Sequence, residues 1–186
     1  MCGGRGTRLR PEVTGEKPLV EVGGRPLIAH VLAALGESRI ETIYAAVSPS
    51  TPETATWLEP TDVQVIETAG EGYIADLSAA LDVVGRPVLT VTADLPLLTG
   101  EHIDRAIEAA DGDSLAVCVP LKTAERVVES VETTLEYDGT TVVPTGLNVV
   151  GDGQTNHVVW SAERLALNLN RPADRRRANR WLSDLL

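Results

Sequence analysis

Residues 87–96 read Pro87-Val88-Leu89-Thr90-Val91-Thr92-Ala93-Asp94-Leu95-Pro96. The first six are uncharged and mostly apolar or β-branched, as a strand buried on both faces requires, and an acidic residue and a proline follow at once. A strand ending here delivers the Asp94 carboxylate to the carboxyl edge of a sheet, where open α/β folds collect their ligands. Outward from this stretch, similar runs recur at 40–47 (IETIYAAV), 63–66 (VQVI), 114–119 (SLAVCV) and 147–150 (LNVV). Helical patterns lie between them: 26–35, with Pro26 at its start and Gly36 at its end; a segment opened by Thr51-Pro52-Glu53; 76–84; and 102–110 behind Thr99. Alternation at this spacing suits crossover connections, so the expected class is α/β, with a mainly parallel mixed sheet and helices on both faces. Residues 125–143, β-branched and broken by Asp138-Gly139, predict a hairpin inserted late in the fold.

A chain of 186 residues, 43% apolar and 23% charged, is long enough for one such domain and too short for two, so residues 1–186 are read as a single unit. It lacks an apolar run of about 18 residues and an apolar N-terminal stretch, so neither a membrane span nor a signal peptide is expected and the cytoplasm is the default. Cys2 and Cys118 form no C-x-x-C, and His30, His102 and His157 are scattered, so a zinc site or disulfide framework finds no ligands. Both cysteines are expected as small apolar residues.

Sixteen basic against 27 acidic side chains give a net charge of −11, and only Lys17 and Lys122 are lysines. Such a surface suits high salt, where screening over about 3 Å at 1 M mutes self-repulsion, and a halophilic source is the reading. Residues 1–25 carry five basic and three acidic groups and 171–186 carry five and two, so the positive charge sits at the ends. The acidic middle is unsuited to nucleic acid, whose phosphates are held by clustered Lys and Arg.

If the chain binds an anion, the place is the N-terminal segment, where Gly3-Gly4-Arg5-Gly6-Thr7-Arg8 is followed by Lys17-Pro18. Glycines at 3, 4 and 6 let consecutive N–H groups approach phosphate oxygens while Arg5, Arg8 and Lys17 supply charge; the plain alternative is a flexible arginine-bearing tail. The pattern is neither G-x-x-x-x-G-K-[ST] nor G-x-G-x-x-G. A phosphate-gripping glycine loop normally leaves the carboxyl end of a strand, yet no strand precedes Gly3. The first strand is read as truncated, either because the natural start lies several residues upstream or because the fold is damaged.

Gly3 to Leu9 with Glu16-Lys17-Pro18-Leu19 resembles the signature of nucleotidyltransferases that build a nucleoside diphosphate ester from an NTP and a phosphorylated acceptor. Residues 48–54 (SPSTPET), 70–77 (GEGYIADL) and 143–150 (VPTGLNVV) narrow the likeness. Together they resemble the archaeal GTP:adenosylcobinamide-phosphate guanylyltransferases, within the MobA-like NTP transferases. The resemblance runs from residue 1 to about 170 and departs at the missing strand, at residues 9–14 and in the arginine-rich tail. It implies a Rossmann-like nucleotidyltransferase domain acting on GTP and a phosphorylated corrinoid.

Asp94 is the candidate Mg²⁺ ligand, since this ion is commonly held by one or two carboxylates plus substrate phosphates; a turn-capping aspartate is the alternative. The resemblance implies a magnesium-binding aspartate there. Gly70, Glu71, Gly72, Tyr73 and Asp76 are expected to receive the base, the glycines letting it lie against the backbone; otherwise this is a plain turn with Asp76 in a first helical turn. By resemblance, Thr145, Gly146 and Asn148 face the α-phosphate and the acceptor, a buried turn being the alternative. Arg171-Pro172-Ala173-Asp174 resembles the turn that opens the last helix of this fold. Its arginines are expected in solvent or, in a homodimer, against a second acidic body. Other acceptors, molybdopterin or a sugar 1-phosphate, and a non-catalytic nucleotide-binding module are the competing readings.

Overall fold

The computed structural model describes residues 1–3, 9 and 15–184. A 3-10 turn at Lys17–Leu19 leads to a short antiparallel pair, β1 (Glu21–Val22) and β2 (Arg25–Pro26), and then to α1 (Leu27–Gly36). Two strand and helix units follow, β3 (Tyr44–Val47) with α2 (Pro52–Leu58) and β4 (Gln64–Glu67) with α3 (Tyr73–Val84). The chain continues through β5 (Val88–Val91), α4 (Gly100–Ala110), β6 (Ser114–Pro120), α5 (Leu121–Val127), β7 (Leu135–Tyr137), β8 (Thr140–Val150), β9 (Thr155–Val159), α6 (Glu163–Ala166) and α7 (Pro172–Ser183).

The sheet is mixed and the class is α/β. Strands β3 and β4 pair in parallel, and a second sheet has the order β5-β8-β6-β9, with β7 on β8. In it β6 and β9 are parallel, while β8 runs against β5, β6 and β7. Strand periodicity divides the cores at β3: Ala45 and Val47 join Ile28 and Leu58, whereas Ala46 joins Ile66 and Ala80 of α3. The main core holds Leu27, Leu95, Ile103, Leu115, Leu147, Leu165, Leu167 and Leu169. Each stabilises the fold by about 1.5–3 kcal/mol on burial. Cys2 and Cys118 are buried free thiols, as small apolar residues would be.

Two expectations need correction. The strand expected at 40–47 shortens to Tyr44–Val47, because Glu41 and Thr42 stay in solvent. The hairpin begins at Leu135, not at 125: Thr123, Ala124 and Val127 bury one helical face, so α5 takes the start of that segment. Strand β9 adds an element beyond those expectations: Thr155, Asn156 and His157 are polar, only Val158 and Val159 are apolar, and the strand is held by its pairing with β6. Thr99 caps α4, in a capping box with His102. The last helix opens at Pro172, and its arginines hydrogen-bond within the chain: Arg171 to Ser130 Oγ, Arg175 to the Glu21 carbonyl and Arg177 to the Arg126 carbonyl. Among the described residues no helix is long and apolar enough to cross a membrane.

Met1 and Cys2 lie between the two sheets. The Met1 ammonium donates to the Val91 carbonyl (2.9 Å), Ala93 N–H donates to the Met1 carbonyl (3.2 Å), and Cys2 N–H donates to the Ala46 carbonyl (2.8 Å).

Candidate active site

Strand β5 ends beside a cleft of about 510 Å³, a size suited to a nucleotide-scale ligand. Asp94 lines it three residues after the strand. Its Oδ2 accepts from Lys17 Nζ at 2.6 Å, and the same ammonium donates to Asn170 Oδ1 at 2.9 Å. Its Oδ1 accepts from Thr92 Oγ1 at 2.6 Å and from Asn168 Nδ2 at 3.4 Å. Burial by itself would raise the Asp94 carboxyl, but the Lys17 charge and these donors outweigh it and hold the group below the usual carboxylate range. The Lys17 and Asp94 side chains are 15% and 17% exposed, so the pair is shielded yet open to the cleft.

Distant parts of the chain set this pair. Glu16 accepts from the Glu53 and Thr54 amides at 2.7 and 2.6 Å and from the Thr54 hydroxyl. It supplies the carboxylate that α2 needs at its amino end and thereby fixes the residue beside it, Lys17. Thr51 does not do this, since its hydroxyl bonds back to Ser48. Asp174, 2% exposed, accepts from the Asn170, Arg171 and Glu129 amides and holds the turn that presents Asn168 and Asn170. Gly146, at φ +87°, backs Thr92: a Cβ there would lie 2.4 Å from Thr92 Oγ1.

Opposite Asp94 the cleft is walled by Gly70, Glu71, Gly72 and Tyr73, at the amino end of α3. Gly70 and Gly72 have φ of +73° and +117°, conformations that other residues adopt only with strain. Asp76 Oδ1 accepts from Gly70 N–H at 2.9 Å, and Asp76 Oδ2 lies 3.4 Å from where a Cβ on Gly3 would sit. Ser48 Oγ donates to the Gly3 carbonyl at 3.3 Å, so the 70–72 loop, the loop after β3 and the N-terminal segment meet at one point. Burial pushes the Tyr73 phenol up, opposed by the Thr90 and Asn148 side chains beside it.

The structure thus brings together Gly3, Lys17, Gly70, Glu71, Gly72, Tyr73, Asp76 and Asp94. Gly4, Arg5, Gly6, Thr7 and Arg8 lie outside the described residues. Thr145 is not in the cleft; it is 1% exposed and donates to the Val117 carbonyl. Gly146 acts behind Thr92, and Asn148 lies within β8 opposite Thr90 and Ala116. Sequence reasoning missed Glu16, Thr92, Asn168 and Asn170 as site residues. The only signal for the asparagines was their place just before the helix-opening turn.

The donor set fits Mg²⁺. Asp94 and Asn170 present oxygen atoms that already share a cation, the Lys17 ammonium, and oxygen is the ligand this ion prefers. Among the described residues no group of three or more His, Cys, Asp or Glu side chains could hold a metal, so further ligands would come from substrate phosphates and water.

Fold and cleft together define a nucleotidyltransferase. The chain matches the MobA-like NTP transferase domain model over residues 1–185 and belongs to that family. It is 30% identical, over 189 aligned residues, to the adenosylcobinamide-phosphate guanylyltransferase of Methanocaldococcus jannaschii, covering 94% of this chain and 91% of the relative. A shorter match is 49% identical over 49 residues to the mannose-1-phosphate guanyltransferase of Saccharomyces cerevisiae, covering 26% of this chain and 14% of that protein. The solved structure of CMP:2-keto-3-deoxy-manno-octonic acid synthetase with CTP shares the fold, with a TM-score of 0.68 at 14% identity, covering 91% of this chain and 92% of that one.

Proposed function

We propose that this enzyme transfers GMP from GTP to adenosylcobinamide phosphate, giving adenosylcobinamide-GDP and pyrophosphate. The observation that carries the chemistry is the Lys17 and Asp94 pair facing the Gly70 to Gly72 loop across one cleft. The full-length similarity to the Methanocaldococcus jannaschii guanylyltransferase supports the choice of substrates.

The acceptor is a phosphate monoester whose second ionisation lies near pH 6, so it is already largely a dianion at neutral pH and needs no general base. Its oxygen attacks the α-phosphorus of GTP in line; the bond from that phosphorus to the bridging oxygen breaks, and pyrophosphate leaves with the electron pair. Lys17 turns from Asp94 and Asn170 to the phosphates and neutralises charge on the five-coordinate phosphorus, together with Arg5, Arg8 and the amides of Gly3, Gly4, Gly6 and Thr7. Asp94 and Asn170 hold Mg²⁺, which when bound supplies Lewis-acid charge neutralisation at the phosphates. Gly70, Glu71, Gly72 and Tyr73 receive the guanine, with Asp76 keeping Gly70 in place from behind. Base-reading hydrogen bonds reject analogues strongly, because a wrong base leaves the protein's groups unpaired.

The test is pyrophosphate release with Mg²⁺, each NTP and each acceptor. Release with GTP and adenosylcobinamide phosphate is expected. A preference for a sugar 1-phosphate, the acceptor named by the shorter yeast match, or for molybdopterin replaces the acceptor. Release with none overturns the reading.

A further inference from the structure

The Lys17 ammonium stands between two oxygens that a divalent ion would use. Its Nζ lies 2.6 Å from Asp94 Oδ2 and 2.9 Å from Asn170 Oδ1. Mg²⁺ binds oxygen at about 2.0–2.1 Å in near-octahedral geometry, so it does not reach this pair while a second cation is held between them. The other Asp94 oxygen is engaged by Thr92 Oγ1 and Asn168 Nδ2. Among the described residues Lys17 is the one ion-pair partner of Asp94.

The backbone of Lys17 is pinned, whereas its side chain can turn. Glu16 is bound by the first amides of α2, Pro18 is buried, and Val20 N–H donates to the Lys17 carbonyl at 3.2 Å. Beyond the Cα, a flexible four-carbon stem carries the ammonium along the wall of the cleft. Two destinations are within its reach, the oxygens of Asp94 and Asn170 or an anion in the same cleft. One carboxylate and one amide hold it when no anion is present, and a triphosphate, with several negative charges, outcompetes them.

We propose that the Lys17 ammonium is a stand-in cation that keeps divalent ions off Asp94 and Asn170 until the phosphates of a nucleotide draw it away, so that metal and nucleotide load together. The inference rests on the reading of the cleft as a nucleoside triphosphate site. An ion arriving alone must push the ammonium out with no anion to receive it, which leaves a shielded charge without a partner. With the phosphates bound, the ammonium and the ion each have one. By linkage, the nucleotide tightens the metal and the metal tightens the nucleotide by the same factor.

The test reads binding of Mn²⁺, a paramagnetic substitute for Mg²⁺, by electron paramagnetic resonance of the free ion, without nucleotide. Lys17→Met is expected to bind one Mn²⁺ at least about 10-fold more tightly than the unsubstituted chain, on the scale of coupled sites. Adding Asp94→Asn to Lys17→Met should remove the gain. Equal affinity in the unsubstituted chain and Lys17→Met, or a gain that survives Asp94→Asn, overturns the proposal. A second reading needs no variant. The chain has only two lysines, and Lys122 is exposed on α5, so Lys122 serves as the reference in a nitrogen-labelled ammonium spectrum. Metal-free GTP should move the Lys17 signal and leave that of Lys122 in place. A Lys17 signal unmoved by saturating GTP overturns the proposal alone. Failure of every NTP to bind in calorimetry with Mg²⁺ overturns the functional reading and this proposal with it.

Discussion

Gly146→Ala tests how the site is built from behind. The new Cβ would lie 2.4 Å from Thr92 Oγ1, about 1 Å inside an ordinary contact, at φ +87°. Placing an L side chain in that conformation costs about 1–2 kcal/mol. Relieving the overlap moves Thr92 and breaks its bond to Asp94, a hydrogen bond to a charged group worth about 1.5–3 kcal/mol. The sum, about 2.5–5 kcal/mol, lowers the melting temperature by roughly 10 °C in a domain of this size. Asp94 loses a donor and shifts, and a misplacement near 1 Å costs about 100-fold in kcat/KM. Calorimetry and magnesium-dependent pyrophosphate release measure the two effects. The same hydrogen bond is counted in both singles, so Thr92→Ala combined with Gly146→Ala should be more stable than additivity predicts, by about 1.5–3 kcal/mol. A Gly146→Ala protein with unchanged melting temperature and turnover, or strictly additive losses, refutes the reasoning.

Lys17→Ala is expected to lower kcat/KM by about 100-fold or more, the scale of losing one transition-state charge partner, and wild-type turnover in steady-state kinetics removes Lys17 from the reaction. Asp94→Ala should abolish magnesium-dependent activity; retained dependence in a magnesium titration moves the ion elsewhere. His102 is held below its ordinary value by burial and by Arg164 and Arg105, against Glu101. A histidine lowered in the fold stabilises it above the unfolded pKa, about 6.5, and that stability is lost as pH falls through the folded value. Melting temperature should therefore drop as pH falls below about 6.5, and His102→Gln should flatten that part of the profile. If the acidic surface reflects a high-salt source, melting temperature should also rise with KCl between 0.1 and 3 M, and a flat profile rejects that origin.

Local chemistry was enough to place Asp94 after a strand, Thr99 at a helix start and the Asp138-Gly139 turn, because periodicity, caps and turn residues act within a few positions. Tertiary structure decided what holds the site. The carboxylate at the start of α2 comes from Glu16, Lys17 meets Asn170 across most of the chain, and Gly146 matters for the space it leaves Thr92. Strand β9 belongs to this class too, since its polar residues are extended by their pairing with β6. Hydrogen bonds and close contacts between residues far apart in the chain leave no periodic trace in it, so only the folded backbone brings those partners together.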